Sequence, residues 1–173
     1  SVYDKGDRRR ASVDELGRVT HFVYDAVGRL VETIYPTDAD TLAQFIGALE
    51  SRDGQPVSGD SLATVDWTQV VYPVAVPDYL TAHPRTQTEY LKTGEVKAEI
   101  DERDNRTEFR YDSLGRLVET IYADETPEDL TDNPRSSSTY DAGGRQVTST
   151  DTRDNTTSQG YDDLGRVVET QFA

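Results

Sequence analysis

Several residue types that build functional sites are missing or scarce in this chain of 173 residues. Cysteine is absent, which excludes a disulfide framework and a thiolate metal site. Two histidines, His21 and His83, leave little material for a catalytic triad or a histidine-rich metal site. No apolar run approaches the length of a membrane span, and the N-terminus lacks the basic and apolar regions of a signal peptide. We therefore expect no catalytic residues and no membrane insertion.

Basic residues are also few, with 18 Lys and Arg against 33 Asp and Glu and a formal net charge of −15. A chain this acidic repels phosphate groups, so nucleic acid is not expected as a partner. Leu, Ile, Val and Phe together make up about a fifth of the residues, close to the limit for a compact globule. The sequence therefore predicts a thin core.

A turn headed by tyrosine, mostly followed by aspartate, recurs along the chain and indicates internal repeats. Its copies come in pairs spaced by 21 residues, at Tyr3 and Tyr24, Tyr90 and Tyr111, and Tyr140 and Tyr161. A second turn led by aspartate lies between the tyrosines of each pair, at residues 14–18, 101–105 and 151–155. The unit is thus two turns and two strands, stabilised by its neighbours in the manner of a repeat protein.

The residue types in the turns are those of β-hairpins. In the turn at residues 25–28, Asp25 can accept backbone amide protons and Gly28 can adopt positive φ, as in a type I turn with a G1 bulge. Asn105 and Asn155 stand one place beyond the position of Gly17, and we expect them to occupy the left-handed region of a slightly shifted turn.

The segments between turns are short and rich in β-branched and aromatic residues, as in residues 29–35. We therefore predict a mainly β fold: repeated β-hairpins forming a twisted antiparallel β-strip, with tyrosines stacked in ladders and a small α/β insertion. Gly28→Val or Gly115→Val should disrupt the hairpins, whereas Glu32→Gln should be nearly neutral.

The predicted organisation has five segments. Repeat pairs occupy residues 1–35, 86–122 and 136–173, an insertion occupies 36–85, and an acidic loop occupies 123–135. In the insertion, Leu42, Phe45, Ile46 and Leu49 have the spacing of one helix face, and residues 64–72 have the pattern of a strand. Because the chain starts and stops in mid-pattern, we expect it to be a piece of a longer protein.

Three features are candidate ligand sites, each with a structural alternative. Trp67, Tyr72 and Tyr79 could present an aromatic surface to a glycan or a partner, or could pack the insertion against the sheet. The acidic residues between Asp124 and Asp132 could bind Ca²⁺, although they lack the EF-hand order and also fit a solvated loop. No other cofactor is expected. Asn105 and Asn155 head glycosylation sequons that follow from the repeat itself.

The repeated motif resembles the YD-repeat, or Rhs-repeat, family. The matching segments are residues 24–30, 111–117, 140–145 and 161–167, joined by intervening turns such as residues 14–20. Members of this family include bacterial Rhs polymorphic toxins, C subunits of insecticidal toxin complexes and teneurins. The resemblance implies a long β-strip that spirals into a hollow shell, which encloses a toxin or forms a cell-surface scaffold.

The function predicted from the sequence is a non-enzymatic structural repeat module of a secreted or cell-surface protein, serving as an extracellular scaffold or a self-assembling fibre. Alternatives are the wall of a toxin-encapsulating shell and a carbohydrate or adhesion module. Expected partners are neighbouring repeats of a longer chain or identical copies edge to edge, with a glycan as a further candidate. The predicted structural positions are Tyr3, Asp4, Gly17, Tyr24, Asp25, Gly28, Arg29, Tyr90, Tyr111, Asp112, Gly115, Arg116, Tyr140, Asp141, Gly144, Arg145, Tyr161, Asp162, Gly165 and Arg166.

Overall fold

The computed structural model describes residues 1–4, 6–37, 50–51, 70–71, 80, 82–124 and 132–173. Three predictions lie outside these residues: the helix at residues 42–49, the aromatic surface of Trp67, Tyr72 and Tyr79, and most of the acidic loop. Of the strand predicted at residues 64–72, the structure describes residues 70–71, which form a two-stranded antiparallel pair with residues 50–51.

The described part of the chain is mainly β, as predicted, and its hairpins follow one another in chain order. Twelve strands form one open sheet in which neighbours in sequence are neighbours in space, apart from the pairing of β4 with β7 across the insertion. The strands are β1 (Val2–Tyr3), β2 (Arg9–Val13), β3 (Val19–Tyr24), β4 (Leu30–Ile34), β5 (Glu50–Ser51), β6 (Val70–Val71), β7 (Arg85–Tyr90), β8 (Val96–Ile100), β9 (Arg106–Tyr111), β10 (Leu117–Ile121), β11 (Arg135–Tyr140), β12 (Gln146–Thr150), β13 (Thr156–Tyr161) and β14 (Val167–Phe172).

The first compact unit spans Ser1–Gln87 and contains β1 to β6 with the first half of β7. Its strand register places Ala11, His21, Ile34 and Arg85 in one cross-strand row. Ala11, His21 and Ile34 are buried, so this row is the centre of the small core. The Tyr24 end of β3 carries a register shift between Val23 and Tyr24, consistent with the bulge that the turn chemistry predicts.

The second compact unit spans Thr88–Ala173 and contains the remainder of the large sheet. The row that corresponds to the core of the first unit consists of Ala98, Glu108, Ile121 and Arg135, with Ala98 and Ile121 buried. In the last two hairpins the equivalent row is Thr148, Ser158 and Gln171. Hydroxyl and amide groups therefore replace aliphatic side chains toward the C-terminal end of the sheet.

The core is thin, as the composition indicates. Among the described residues the buried apolar side chains are those of Val2, Ala11, Val19, Ile34, Leu80, Ala98 and Ile121. Seven such residues contribute modestly to stability at about 25 cal/mol per Å² of apolar surface removed from water. The backbone hydrogen bonds of the sheet and the contacts within and between turns therefore contribute alongside this core.

Candidate functional site

Eight turns of the described residues begin with an aspartate whose carboxylate organises the loop. In the turn at residues 112–116, Asp112 Oδ1 accepts hydrogen bonds from the backbone nitrogens of Leu114 at 2.9 Å and Arg116 at 3.1 Å. Asp112 Oδ2 accepts a hydrogen bond from Arg116 Nε at 2.7 Å. These bonds satisfy amide groups that have no strand partner. The same three contacts occur in the turns headed by Asp4, Asp14, Asp25 and Asp162.

The carboxylates of these turns are held in the charged form. The side-chain hydrogen bond from Arg116, followed by its backbone amide, keeps the pKa of Asp112 below the ordinary value despite some desolvation. The pKa of Asp162 is lowered chiefly by the backbone amide of Arg166 and then by its side chain. Because each of these two negative charges is paired with an arginine inside its own turn, it adds little repulsion toward neighbouring turns.

The fourth position of each turn requires positive φ. Glycine occupies it in most turns, with φ of +77° at Gly115 and +80° at Gly17, and Gly28, Gly144 and Gly165 are similar. At this position the two middle turns of the second unit carry Asp104 and Asp154, each with φ of +63°. An aspartate in this region is under mild strain because its Cβ crowds the following carbonyl group.

The prediction that Asn105 and Asn155 take the left-handed conformation is therefore wrong. Each asparagine instead occupies the place that arginine has in the other turns, directly after the positive-φ residue. Asn105 Nδ2 donates to Asp101 Oδ2 at 2.8 Å, and Asn155 Nδ2 donates to Asp151 Oδ2 at 3.0 Å. The turn is not shifted, because Asp104 and Asp154 tolerate the strained position and asparagine replaces the arginine hydrogen bond.

The arginine that closes one tyrosine-headed turn also contacts the next such turn. The Arg116 guanidinium carbon lies 4.8 Å from the centre of the Tyr140 ring, and Arg116 Nη1 donates to the Asp141 carbonyl oxygen at 3.2 Å. Arg145 repeats both contacts one turn later, 4.9 Å from the Tyr161 ring and 3.2 Å from the Asp162 carbonyl oxygen. We call this two-part contact the inter-turn clamp; it joins consecutive hairpins through a cation–π interaction and a charged hydrogen bond.

In the first unit the ring of Tyr24 is covered in a similar manner by two arginines. The guanidinium carbons of Arg8 and Arg10 lie 5.6 and 5.7 Å from its centre. The tyrosine ladders expected from the sequence did not include this role of arginine. Both residue types are nevertheless present in the repeated motif, which contains the tyrosines and an arginine five residues after the preceding tyrosine.

The hydroxyl groups of the tyrosines anchor the rings to the backbone of an earlier strand. Tyr24 Oη donates to the Arg9 carbonyl oxygen at 2.9 Å, Tyr140 Oη to the Leu117 carbonyl oxygen at 3.0 Å, and Tyr161 Oη to the Gln146 carbonyl oxygen at 2.6 Å. Each ring is thus fixed at its edge by a hydrogen bond and covered on its face by one or two arginines. Phenylalanine would retain the packing and lose the anchor.

Ion pairs join the tyrosine-headed hairpins on the strands themselves. Glu32 Oε1 accepts hydrogen bonds from Arg85 Nη1 at 2.8 Å and from Gln87 Nε2 at 3.2 Å. The Glu32 side chain is 13% exposed. Glu119 occupies the same position in the second unit and pairs with Arg135 at 3.3 Å and Arg110 at 2.9 Å. The expected neutrality of Glu32→Gln therefore lacks support, because that change removes a half-buried ion pair.

A family model described as RHS Repeat matches residues 3–40 and again residues 90–127. Each match begins at the first tyrosine of a repeat pair and includes both tyrosine-headed turns and the turn between them. Residues 3–40 and 90–127 are thus RHS repeats.

Solved structures that resemble this RHS-repeat chain do so at low identity. The crystal structure of TcdB2-TccC3-Cdc42 shows 16% identity and a TM-score of 0.41, and that of TcdB2-TccC3 shows 15% and 0.43. The Tc holotoxin pore of Photorhabdus luminescens, with a substitution in TccC3, also gives 15% and 0.43. In all three the match covers 96% of this chain and 10% of the other chain, so this chain spans about one tenth of their length. No curated protein matches the RHS-repeat chain.

One turn of the RHS repeats departs from the common pattern. In residues 91–95, Leu91 stands in place of aspartate and Glu95 in place of arginine, yet Gly94 keeps a positive φ and donates to the Leu91 carbonyl oxygen at 3.1 Å. Glu95 Oε1 lies 3.1 Å from where a Cβ on Gly115 would be, so this carboxylate reaches the next turn as an arginine does elsewhere. Burial, with the nearby charges of Glu95 and Glu99, raises the pKa of Tyr111.

The two histidines of the chain lie in or next to strands of the large sheet. His21 is buried in β3, and His83 precedes β7 by two residues. Within residues 1–4, 6–37, 82–124 and 132–173, no three His, Cys, Asp or Glu side chains gather as metal ligands. Among the residues that the structure describes, no helix could cross a membrane. A small cavity of about 30 Å³ beside Gln146 and Gln159 has room for little more than a water molecule.

Proposed function

We propose that this chain is a non-enzymatic structural module of a secreted or cell-surface RHS-repeat protein, and that it acts as a stretch of extracellular scaffold. The observation that carries the proposal is the inter-turn clamp, in which Arg116 and Arg145 each bind the tyrosine ring and the aspartate carbonyl group of the next turn. Such a contact makes each hairpin depend on its neighbour, as the stability of a repeat array requires.

The charged residues of the described segments support this role because so many of them are engaged with one another. Carboxylates in the turns pair with arginines four residues later, and Glu32, Glu89 and Glu119 pair with arginines on adjacent or nearby strands. These groups hold backbone and strands in place rather than facing a common cleft. Their arrangement favours a framework over an active site.

A second candidate is the wall of an RHS-type toxin shell. The two matches to the RHS-repeat model favour it, since one row of clamped turns can extend by adding hairpins of the same design. A scaffold and a shell wall would use the same contacts and differ in how many hairpins are joined and whether the array closes. A carbohydrate or adhesion module based on Trp67, Tyr72 and Tyr79 is the third candidate, and those residues lie outside the described part of the chain.

Electron microscopy of the purified chain at about 0.15 M salt tests the proposal. The Debye length at this salt concentration exceeds the separation of the charges in the local ion pairs, so screening does not abolish them. Regular fibres would support a scaffold that polymerises, and closed hollow particles formed by a longer parent protein would support the shell. Dispersed monomers that bind a glycan array, with binding lost in Trp67→Ala and an unchanged melting curve, would contradict both and favour the adhesion module. Protease treatment of intact cells, followed by detection of the chain, tests the surface location.

A further inference from the structure

The ring of Tyr111 lacks the cation that covers its equivalents. Three rings have an arginine guanidinium carbon between 4.8 and 5.7 Å from their centres, those of Tyr24, Tyr140 and Tyr161. The turn before Tyr111 ends at Glu95, whereas the turn before Tyr161 ends at Arg145. Among the described residues, no arginine or lysine lies over the Tyr111 ring. This position is therefore an inter-turn clamp without its cation.

The hydroxyl group of Tyr111 also differs from its equivalents. The hydroxyl groups that donate to a backbone carbonyl oxygen of an earlier strand are those of Tyr24, Tyr140 and Tyr161. In the part of the chain that the structure describes, no such bond is found for Tyr111. Burial raises the pKa of Tyr111, and the negative charges of Glu95 and Glu99 raise it further. The ring thus lies in a region of negative potential that favours a cation.

The carboxylate of Glu95 has an oxygen atom that lacks a donor. Within the described segments, Glu95 Oε2 is buried and has no hydrogen-bond partner, while Oε1 lies 3.1 Å from where a Cβ on Gly115 would be. A hydrogen bond from the Thr93 side chain, followed by the backbone amide of Glu95, lowers the pKa of this carboxyl group, so it is ionised at neutral pH. A buried ionised oxygen without a donor is unfavourable, so a donor that reaches it is bound favourably.

A backbone carbonyl group supplies a second acceptor beside the ring. The arginines of the inter-turn clamp donate to the carbonyl oxygen that directly follows the tyrosine, at Asp141 and Asp162. Each of these oxygens also accepts from the glycine amide of its own turn. The Asp112 carbonyl oxygen accepts from Gly115 at 3.0 Å, and no side chain of the described residues donates to it. Its second lone pair can therefore accept from a ligand.

A guanidinium group fits this combination better than an ammonium group does. Its flat face stacks on an aromatic ring while its N–H groups, which lie in the plane, reach a carbonyl oxygen and a carboxylate together. An ammonium group has no such face and holds its water more strongly. The clamps of Arg116 and Arg145 show the same stacking and the same carbonyl contact elsewhere in the sheet.

The size of the site indicates where the guanidinium group comes from. One ring, one carbonyl oxygen and one carboxylate hold a small ion weakly, because few contacts offset the cost of immobilising it. The same contacts suit an arginine that a larger interface presents, and arginine is enriched among the residues that dominate binding at interfaces. The net charge of −15 favours a cationic partner as well.

We propose that Tyr111, Glu95 and the Asp112 carbonyl group form a docking site for an arginine side chain of a partner polypeptide. The guanidinium group lies over the Tyr111 ring, donates to the Asp112 carbonyl oxygen and pairs with Glu95. Glu99 adds negative charge nearby. The site goes beyond the structural role of the module, because here another molecule supplies the cation that arginines of the chain supply at the other turns.

The capped tripeptide Gly-Arg-Gly is the probe, and it is titrated into the full chain labelled with ¹⁵N at low salt. We expect the backbone amides of Glu95 and Asp112 to shift with half-saturation at about 1–10 mM, as a ligand held by few contacts does. The amides of Asp141 and Asp162 are internal controls and should not shift, since an arginine already fills their sites. The matching lysine tripeptide should bind about threefold more weakly.

Glu95→Arg should abolish binding, because its own guanidinium group fills the site. Glu95→Gln should weaken binding about fivefold, as the loss of a surface ion pair does. Glu102→Gln is the matched control, since it removes the same charge from an exposed turn at the other end of β8, and it should leave binding unchanged.

Four outcomes would overturn the proposal. They are undiminished binding to Glu95→Arg, equal weakening by the two glutamine variants, equal binding of the lysine tripeptide, and shifts at Asp141 as large as those at Asp112. The absence of an Asp112 shift at about 50 mM tripeptide would do the same. Methylguanidinium ion that bound with a Kd below about 10 μM would identify a site for a small cation and refute the partner polypeptide.

Discussion

Replacing Arg145 by glutamine tests whether the inter-turn clamp stabilises the sheet. The change removes the cation–π contact with Tyr161 and the charged hydrogen bond to the Asp162 carbonyl group. The first is worth about 0.5–1 kcal/mol at partly exposed sites and the second about as much again. We therefore expect Arg145→Gln to lower the free energy of unfolding by about 1–2 kcal/mol, with the exposed pair to Asp141 adding little.

Arg166→Gln is the matched control because Arg166 makes the same pair within its own turn, at 2.7 Å to Asp162, while its side chain is 73% exposed. We expect its melting temperature to stay within about 1 °C of the unaltered chain, whereas Arg145→Gln should lower it by roughly 2–8 °C in a domain of this size. Circular dichroism melts at several urea concentrations give both quantities. Equal losses in the two variants would refute the clamp and assign the energy to the pairing inside each turn.

Three further predictions concern individual turns and strands. Gly115→Val should destabilise the chain by about 2 kcal/mol, since valine resists a φ of +77°, and a melt as stable as that of Ser113→Ala would count against the turn geometry. Glu95→Arg should restore the clamp on Tyr111 and raise the melting temperature. The control Glu95→Gln shows how much of that rise comes from removing the negative charge alone. Hydrogen bonds from Arg106 and then Lys97 lower the pKa of Glu89 to about 2, so its contribution is complete above pH 4.5 and is lost as the pH falls toward 2. Glu89→Gln should consequently flatten the pH dependence of the melting temperature over that range, and an unchanged slope would contradict the pairing.

The hairpin fold could be predicted from the sequence because the residues that define each turn lie close together in the chain. Gly28 and Gly115 mark where the backbone needs positive φ, and Asp25 and Asp112 mark the start of the turn. These requirements act within five residues, so a repeat makes them visible without knowledge of the tertiary structure.

The contacts between hairpins were harder to predict because they depend on side chains far apart in sequence. Arg145 and Tyr161 are separated by 16 residues, and Glu32 and Arg85 by 53. The periodicity of apolar residues does not reveal such pairs of polar side chains. From the sequence, Glu32 fits a solvent-exposed position on a strand of alternating polarity. The left-handed conformation was predicted for Asn105 rather than Asp104, because asparagine is the more usual residue after glycine in that region.

The junctions at Glu32–Arg85 and Glu119–Arg135 are alike although the chain between the strands differs greatly in length. Residues 35–84 separate β4 from β7, whereas residues 122–134 separate β10 from β11. By loop-closure entropy, lengthening a connection from 13 to 50 residues costs only about 1 kcal/mol. At these junctions the strand register is set by residues at the ends of the two strands and not by the segment that connects them. The connecting segment is therefore a natural insertion point. Foreign sequence, such as a reporter or a whole domain, could be spliced there without altering how the next hairpin docks.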